Sequence, residues 1–421
     1  MCVINAMRVT TRVVFWMGPL QGIRIIDITS VLMGPYATQT LGDYGADVIK
    51  VEAPDGDITR QIGPARHPGM GPMYLNANRS KRSIALDLKT PAGRAVLLRL
   101  AAGADVLVYN LRPQAMARLK LDYESVSAVN PGIVYAGMFG FGQDGPYAAK
   151  PAYDDLLQAG AGLSHLLARA GDGTPRYVPT ALADRVVGLS AVGIILASLL
   201  HRDRTGRGQR VDIPMFETMV GFVMGDHLGG LTFEPPLDQG GYARHMSPDR
   251  RPYRTSDGFV SVIIYNDKQW NSFFDVTGRE DLRSDAMFAT FDGRMTNIDA
   301  VYAELGRIFA VRSTAEWMKL LHEADIPVMP VHDLQSLLAD PHLVETRFFP
   351  VAEHPTEGAI RSMRVAATWS ETSADPSRLA PRLGEQSREI LGEAGFTDEE
   401  ITTLVQDGVV RAAAPIPLSR D

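Results

Sequence analysis

The chain has 421 residues, of which 45% are hydrophobic and 22% charged, a composition typical of a soluble globular protein long enough for two domains. The formal net charge is −7 and no block of Lys and Arg occurs, which argues against nucleic-acid or anionic-membrane partners and predicts only local basic pockets for anions. A single cysteine, Cys2, excludes an internal disulfide and is typical of a reducing compartment, so we expect a cytoplasmic protein.

Two apolar segments need an explanation. The N-terminal stretch MCVINAMRVTTRVVFWMGPLQG has two arginines and no acid before Asp27. We expect residues 1–20 to be a disordered extension, with Met17 close to the start of the domain, and a short targeting peptide is the alternative. The run at residues 186–200 is shorter than a bilayer span and contains Gly and Ser, so it predicts a helix buried inside the protein.

From residue 23 onward, short β-branched runs alternate with helical stretches. The predicted strands are IRIIDI, ADVIKVE, RSIALDL, DVLVYNL and GIVYAGMFGF, and the helical stretches between them include GPYATQTLGDYG, TPAGRAVLLRLAAGA and RPQAMARLKL. In TPAGRAVLLRLAAGA, Thr90 is the predicted cap and Pro91 takes the first helical position. Strand–helix repeats of this length indicate an α/β fold with a parallel sheet and helices on its faces.

The second half of the chain differs in composition and in hydrophobic pattern. Gly and Pro accumulate near residues 222–236, and a block that begins with FVSVIIYN has its own hydrophobic pattern. The segment IPVMPVHDLQSLLADPHL then predicts a strand and a helix, and Thr397 with Glu400 forms a capping box for the last helix. We expect residues 21–220 to form the first part of a large domain, 221–326 a small domain with linkers, and 327–421 a part that returns to the large domain.

Ligands of an open parallel sheet bind beyond the carboxyl ends of its strands. The glycine-bearing loops there, MGPY and FGFGQDGPY, match neither a P-loop nor a GxGxxG fingerprint. The nine histidines have no metal-ligand spacing, and no GxSxG elbow occurs. Carboxylates remain, namely Asp154 and Asp155 in PAYDDLLQAGAGL and Asp184 in TALADRVVGLSAVGIILASLL. Taken alone, each is best interpreted as a helix cap or an acid at the positive end of a helix dipole.

Long motifs, taken in order, change that interpretation. The chain resembles the class III CoA-transferases, the CaiB/BaiF family that includes formyl-CoA transferase and the carnitine CoA-transferases, in GIRIIDITSVLMGPYATQTLGDYGADVIKVE, NRSKRSIALDLKTPAGR, YNLRPQAMARL, PAYDDLLQAGAGL, LADRVVGLSAVGIILASLLHRDRTGRGQRVDIPMFE and IIYNDKQW. The similarity extends from about residue 22 to about residue 410. It implies a Rossmann-like large domain with a parallel sheet, a smaller α/β domain and an interlocked-ring homodimer.

The resemblance also implies the site. It assigns the nucleophile to Asp184 and places Tyr153 and Asp154 near the thioester. The positions at which family members bind CoA are Leu32, Leu86, Lys89, Asn110, Leu111, Arg118 and Met215. The implied reaction moves CoA from an acyl-CoA to a free carboxylic acid through an aspartyl anhydride and an aspartyl-CoA thioester. It requires no metal and no cofactor beyond coenzyme A as substrate.

Three departures from formyl-CoA transferase bear on the substrate. Leu32 replaces a glutamine that holds the intermediate, Ala53 replaces a CoA-binding arginine, and ARHMSPDRRPYR replaces the glycine-rich loop over the active site. The replacement segment carries Arg244, Arg250, Arg251 and Arg254, and arginine forks suit carboxylates. We therefore predict a dicarboxylic substrate bound by Arg244 and Arg250. Ordinary surface or dimer-interface charges are the alternative for these arginines.

Two other functions remain open. α-Methylacyl-CoA racemase resembles the chain through the same N-terminal motifs, but it needs a histidine where Tyr153 stands and a glutamate close to Asn266. A tyrosine is a poor base at neutral pH. The second alternative is a non-catalytic CoA-binding protein, against which the presence of Asp184 speaks.

Overall fold

The computed structural model describes residues 18–414, and these divide into two compact units. The first unit holds residues 18–152, Ala183–Met215 and 347–414, and the second holds Tyr153–Leu182 and Phe216–Thr346. Most of the predicted N-terminal extension lies outside the described residues. Residues 18–20, however, pack on the first unit, where the Leu20 N–H donates to the Tyr44 carbonyl at 2.8 Å. Residues 18–20, which we predicted to be the end of the extension, therefore belong to the folded part.

The strands alternate with helices over the first half of the described residues. In chain order they are β1 (Arg24–Ile28), β2 (Asp47–Glu52), β3 (Lys81–Leu86), β4 (Val106–Tyr109), β5 (Val134–Phe139), β6 (Gln209–Pro214), β7 (Tyr253–Arg254), β8 (Phe259–Val262), β9 (Val328–Pro330), β10 (Val351–His354), β11 (Gly358–Arg361) and β12 (Val410–Arg411).

The helices occupy both units. In chain order they are α1 (Met33–Asp43), α2 (Pro72–Leu75), α3 (Pro91–Ala102), α4 (Pro113–Arg118), α5 (Tyr123–Val129), α6 (Asp154–Gly160), α7 (Leu163–Ala170), α8 (Leu182–Thr205), α9 (Met215–His227), α10 (Ala243–Met246), α11 (Asp267–Thr277), α12 (Glu280–Arg283), α13 (Phe291–Thr296), α14 (Ile298–Phe309), α15 (Thr314–Glu323), α16 (Leu334–Leu338), α17 (Pro341–Glu345), α18 (Ser387–Glu393) and α19 (Asp398–Gln406).

The first unit is built on one sheet with the strand order β12-β3-β2-β1-β4-β5-β6. Strands β1 to β6 are parallel to their neighbours and β12 is antiparallel to β3. Helices cover the sheet, and β1 to β5 are buried almost throughout, as expected for strands packed on both faces. The order 3-2-1-4-5-6 is typical of a Rossmann sheet and confirms the predicted α/β class with a mostly parallel sheet.

Local sequence signals explain where several helices begin. Thr90 accepts a hydrogen bond from the Gly93 N–H and Pro91 follows it, as predicted for α3. Thr397 and Glu400 form the predicted capping box of α19. Helix α5 was not predicted, although Asp122 caps it by accepting from the Ser125 N–H at 2.9 Å, and that acid is the signal that could have revealed it.

The second unit has its own aromatic core. Strands β7, β8 and β9 form an antiparallel sheet, and helices α11 to α15 supply most of the buried side chains around it. The large buried rings are Trp270, Phe273, Phe274, Phe288, Phe309 and Trp317. Burial of this many rings contributes most of the apolar area from which a small unit gains its stability.

The unit boundaries differ from the predicted domains in two places. Tyr153–Leu182, which we predicted to be part of the large domain, belongs to the second unit, where α6 packs on α7 and α7 on α10. The second unit also extends to Thr346 instead of ending at residue 326. The reason is that β9 pairs with β8, which a short apolar run in the sequence cannot reveal.

Helix α8 is longer than predicted. It has 24 residues, and an 18-residue window within it has a mean hydropathy of 1.8, so length and composition alone would allow it to cross a membrane. The expected shortfall against a bilayer span therefore does not hold. One face of α8 is buried in the structure, and its members recur at helical spacing: Ala183, Val187, Gly188, Ala191, Val192, Ile195, Ser198 and Leu199. The opposite face, with Leu189 and Leu200, is about half exposed.

Charged side chains are buried beneath the carboxyl edge of the large sheet. Asp27 accepts from the Lys81 Nζ at 3.0 Å, and the Lys50 Nζ donates to Asp57 at 3.2 Å. Glu52 binds the Arg60 guanidinium at 2.6 and 2.7 Å. Burial by itself would raise the pKa of each of these carboxyl groups, but the neighbouring cations and hydroxyls outweigh it and lower the pKa of all of them.

These shifts predict that acid destabilises the fold. The same carboxyl groups titrate at about pH 4 in an unfolded chain, so below about pH 5 the unfolded state binds more protons and the free energy of unfolding falls with pH. We expect the urea midpoint to drop steeply between pH 6 and pH 3. The Glu52→Gln variant, which lacks one of these groups, should show a smaller drop. A midpoint that stays constant over this range would contradict the prediction.

Candidate functional site

The carboxyl ends of β1 and β4 meet at the point where the strand order of the sheet reverses. Crevices at such points bind ligands in open α/β sheets. Here the residue after β4, Asn110, donates its Nδ2 to the Ser30 carbonyl at 2.8 Å and accepts from the Ser30 N–H at 3.0 Å. The predicted CoA-binding amide therefore also fixes the loop between β1 and α1, and it keeps one further donor and one acceptor site for a ligand.

A cleft of about 580 Å³ opens at this edge of the first unit. Its walls are the segments that follow β1, β2 and β3 together with Leu111 and Leu119. It brings together Leu86, Lys89 and Leu111, three of the predicted CoA-binding positions. Lys89 is exposed, and among the described residues it is the one cation of the lining.

The other predicted CoA-binding residues lie outside the lining of this cleft. Leu32 is 4% exposed at the start of α1, and Met215 is 4% exposed at the start of α9. Arg118 is exposed at the end of α4, and Asn110 is hydrogen-bonded to Ser30, which belongs to the lining. Ala53, which the sequence analysis placed where a CoA-binding arginine was expected, does line the cleft.

Asp184 lies in the first turn of α8 and is half-buried. The helix begins at Leu182, so Asp184 is its third residue and does not occupy the capping position that the isolated stretch suggested. An acid in the first turn is still favoured by the positive end of the helix dipole.

The start of α8 is held against the start of α1. One turn below Asp184, a Cβ atom on Gly188 would lie 2.9 Å from the Met33 carbonyl oxygen and 3.1 Å from the Tyr36 ring. The Arg185 guanidinium lies over the Tyr36 ring at 4.2 Å from its centroid. Residues four apart share a helix face, so Asp184 lies on the α8 face that packs on α1.

Tyr153 and Asp154 belong to the second unit. Tyr153 is 69% exposed at the N-cap position of α6, and Asp154 follows it as the first residue of that helix. The Gln158 amide donates to Asp154 at 2.7 Å and to the Thr180 carbonyl at 3.2 Å, and it accepts from the Val178 N–H at 2.8 Å. Gln158 therefore joins Asp154 to the segment that leads into α8. The sequence analysis missed this residue.

Arg244 and Arg250 line one cleft of about 260 Å³ in the second unit. The Arg244 Nε donates to the Tyr302 hydroxyl at 2.8 Å, and the guanidinium is also hydrogen-bonded to Tyr242. Within the described residues, the Arg250 guanidinium has no ion pair. Arg251 also lines the cleft but is paired with Asp249 at 3.0 Å, and Arg254 lies outside it.

The buried ion pairs beneath the sheet edge are the polar feature that the sequence analysis did not find. Asp27 stands in RIIDI and Lys50 in DVIKVE, so each charge interrupts an otherwise apolar strand. That interruption is the signal that could have revealed the pairs, because buried charges require partners. Within residues 18–414, no group of three or more His, Cys, Asp or Glu side chains is arranged to hold a metal ion.

The fold is that of a known family. The model of CoA-transferase family III matches residues 20–387, and the chain belongs to this family. A structure of a CaiB/BaiF family protein from Brucella suis superposes with a TM-score of 0.77 at 31% identity, covering 90% of this chain and 100% of that one. The resemblance inferred from the sequence motifs is confirmed, and so is the class of enzyme.

Relatives of known activity are similar over almost their whole length. The succinyl-CoA:glutarate CoA-transferase of Mus musculus is 33% identical over 396 residues, which cover 94% of this chain and 91% of that protein. The succinate–glutarate CoA-transferase of Agrobacterium fabrum is 34% identical, covering 89% and 95%. A formyl-CoA:oxalate CoA-transferase of Escherichia coli is 30% identical, covering 93% and 99%.

The close approach of α8 to α1 gives a prediction about stability. We expect Gly188→Ala to destabilise the first unit by about 1–3 kcal/mol, because the new methyl group would press on backbone that cannot move aside without shifting a helix. Gly193→Ala on the same helix meets no atom within 4 Å and should stabilise by about 0.5–1 kcal/mol. Urea unfolding of both variants checks this, and equal effects would show that the contact is not tight.

Proposed function

We propose that the protein transfers CoA from an acyl-CoA thioester to a dicarboxylic acid, with Asp184 as the nucleophile. The observation that carries the proposal is a half-buried carboxylate in the first turn of α8, in a chain whose relatives include CoA-transferases. A carboxylate is a nucleophile that can attack a thioester, and an acid in the first turn of a helix interacts favourably with the helix dipole.

The proposed reaction exchanges one acyl bond for another at every step. The Asp184 carboxylate attacks the thioester carbonyl, the C–S bond breaks, and CoA thiolate leaves a mixed anhydride. The thiolate attacks the aspartyl carbonyl carbon, which releases the donor acid and forms an aspartyl-CoA thioester. The acceptor carboxylate attacks that thioester to give a second anhydride and thiolate. The thiolate then attacks the acceptor acyl carbon and restores Asp184. No proton, electron or metal has to be supplied, so we propose coenzyme A as the only non-protein group.

Several residues have supporting roles in the proposal. CoA is bound by the seven predicted positions Leu32, Leu86, Lys89, Asn110, Leu111, Arg118 and Met215. Tyr153 and Asp154 border the thioester. We further propose an interlocked homodimer in the cytoplasm, without nucleic-acid or membrane partners. The half-exposed apolar face of α8 supports an association of chains, since contiguous apolar surface of this kind is typical of interfaces.

A dicarboxylic substrate is supported by two independent facts. The relatives named above act on glutarate, succinate or oxalate, which are all dicarboxylates. In this chain Arg244 and Arg250 line one cleft, and a guanidinium without an ion pair suits a carboxylate. Leu32 and Ala53 replace residues that formyl-CoA transferase uses, which favours an acid larger than oxalate, such as a succinyl or methyl-branched C5 acid.

Trapping the covalent intermediate tests the nucleophile. The protein is incubated with a panel of acyl-CoAs, treated with borohydride or hydroxylamine, digested and examined by mass spectrometry. We expect a modification on the peptide that contains Asp184 in the parent and none in Asp184→Asn, whose kcat should fall by more than about 10³-fold. Asp155→Asn, which removes an acid from the first turn of α6, is the matched control and should retain both the modification and the parental kcat.

Other outcomes of this experiment identify the rival functions. Full transfer by Asp184→Asn would overturn the assignment of the nucleophile. Solvent deuterium entering the acyl α-carbon without any adduct would identify a racemase. CoA binding with neither adduct nor exchange would identify a non-catalytic CoA-binding protein.

Substituting the cleft arginines tests the class of acid. We expect Arg250→Ala to raise the KM for glutarate or succinate about tenfold, because one charge-assisted hydrogen bond to the second carboxylate is lost. The KM for a monocarboxylate should stay unchanged. Arg244→Ala should act in the same direction. Arg254→Ala, which removes an exposed arginine outside the cleft, is the control. Unchanged Michaelis constants for dicarboxylates in both cleft variants would exclude this role.

A further inference from the structure

One residue next to the cleft of the first unit has a backbone conformation that its side chain disfavours. Val31 has φ of +69°, in the left-handed region, where β-branched residues are rare. Its side chain is 40% exposed, so packing contributes little to hold it there. The conformation is energetically unfavourable for valine and must be imposed by other contacts.

Asp57 supplies the contact that holds Val31. Both carboxylate oxygens of Asp57 accept from the Val31 N–H, at 3.3 and 3.2 Å. Asp57 is itself fixed by the Thr59 N–H and hydroxyl, at 3.0 and 2.8 Å. The Asp57 carboxylate is therefore held in place by Thr59 independently of its contact with Val31.

Lys50 binds both Asp57 and the loop itself. Its Nζ donates to Asp57 at 3.2 Å and to the Thr29 carbonyl at 3.0 Å. The Lys50 and Asp57 side chains are 0% and 1% exposed, so their attraction is little screened. Together with Asn110 on Ser30, the ion pair fixes three consecutive residues of the loop from outside it.

This loop leads directly into the part of the structure that carries the candidate chemistry. Thr29 and Ser30 line the cleft at the sheet edge. Leu32 precedes α1, and the Met33 carbonyl is the atom on which Gly188 of α8 packs. A displaced loop would therefore move the surface against which the first turns of α8, and with them Asp184, are held.

We infer that Asp57, acting through the Val31 backbone with Lys50 as its counter-ion, positions the loop at residues 29–32 for CoA transfer. The inference rests on the proposed function. A loop that served stability alone would carry Gly or Asn at position 31, since these residues adopt positive φ at low cost. The retained strain indicates that the conformation itself is needed at a site of reaction.

The first test relieves the strain without removing any ion pair. In Val31→Gly, strain relief and the greater flexibility of the unfolded chain roughly offset each other, so thermal stability should change little. We expect kcat for CoA transfer to fall between about tenfold and about 100-fold, because the loop is free to adopt other conformations. The KM for acyl-CoA should stay within about twofold. Arg347→Gly, which relieves positive φ at an exposed residue elsewhere, is the control and should keep the parental kcat.

The second test asks whether Asp57 acts through Val31. Asp57→Asn keeps the shape of the side chain but weakens its hold on Val31 and Lys50, so we expect a lower kcat and a lower unfolding temperature. If both residues maintain one constraint, the double variant Asp57→Asn/Val31→Gly will have a kcat within about twofold of the lower single variant. If the fold-losses in kcat of the two single variants multiply in the double variant, a shared role is contradicted.

The outcomes separate this inference from the proposed function. If the parent protein transfers CoA and Val31→Gly does so at the same kcat, the positioning role is refuted and the proposed function stands. If the parent itself shows neither transfer nor a trapped Asp184 adduct, the proposed function has failed. Should Asp57→Asn fail to fold, the comparison of Val31→Gly with the parent and with Arg347→Gly still decides the question.

Discussion

Charges buried beneath the carboxyl edge of the large sheet have to be neutralised where they stand, because an unpaired ion in the interior costs several kcal/mol. Asp27 on β1 lies opposite Lys50 on β2 in the strand register. Lys81 on β3 lies two residues before the register partner of Lys50, Ser83, and its Nζ donates to Asp27 at 3.0 Å. A slip by one residue would turn each of these side chains to the other face of the sheet. The ion pairs therefore favour one strand register over registers shifted by one residue. They add to the register preference that the apolar faces already impose.

The same charges connect the sheet to its loops. Lys50 reaches from β2 to the carbonyl of Thr29, and Asp57 reaches from the following loop to the Val31 N–H. Parallel strands all end at one edge, so side chains from neighbouring strands can meet there although they are far apart in the chain. The cleft at the switch point thus has walls whose backbone is fixed by ionic contacts, and a fixed wall is what the proposed transfer reaction requires of its site.

The distribution of charge fits a protein that handles anions without an overall positive field. The net charge is −7, and Lys89 is the cation that lines the cleft of the first unit. The cleft of the second unit is lined by Arg244, Arg250, Arg251 and Arg294, of which Arg251 and Arg294 are paired with Asp249 and Asp267. Attraction of a carboxylate or phosphate by a single partly exposed cation is short-ranged at physiological ionic strength. Selectivity then depends on where individual guanidinium and ammonium groups point, and the Arg244–Tyr302 hydrogen bond is one device that fixes such a direction.

The sequence by itself determined the alternation of strands and helices, the caps at Thr90 and Thr397 and the family, because these depend on local periodicity and on long motifs in order. Only the tertiary structure decided that β9 pairs with β8, that Asp57 holds Val31 and that Gln158 binds Val178 and Thr180. Each of those contacts joins residues that local periodicity does not link. Periodicity describes which face of an element is buried, whereas the partner of a buried polar group depends on how the elements meet in space.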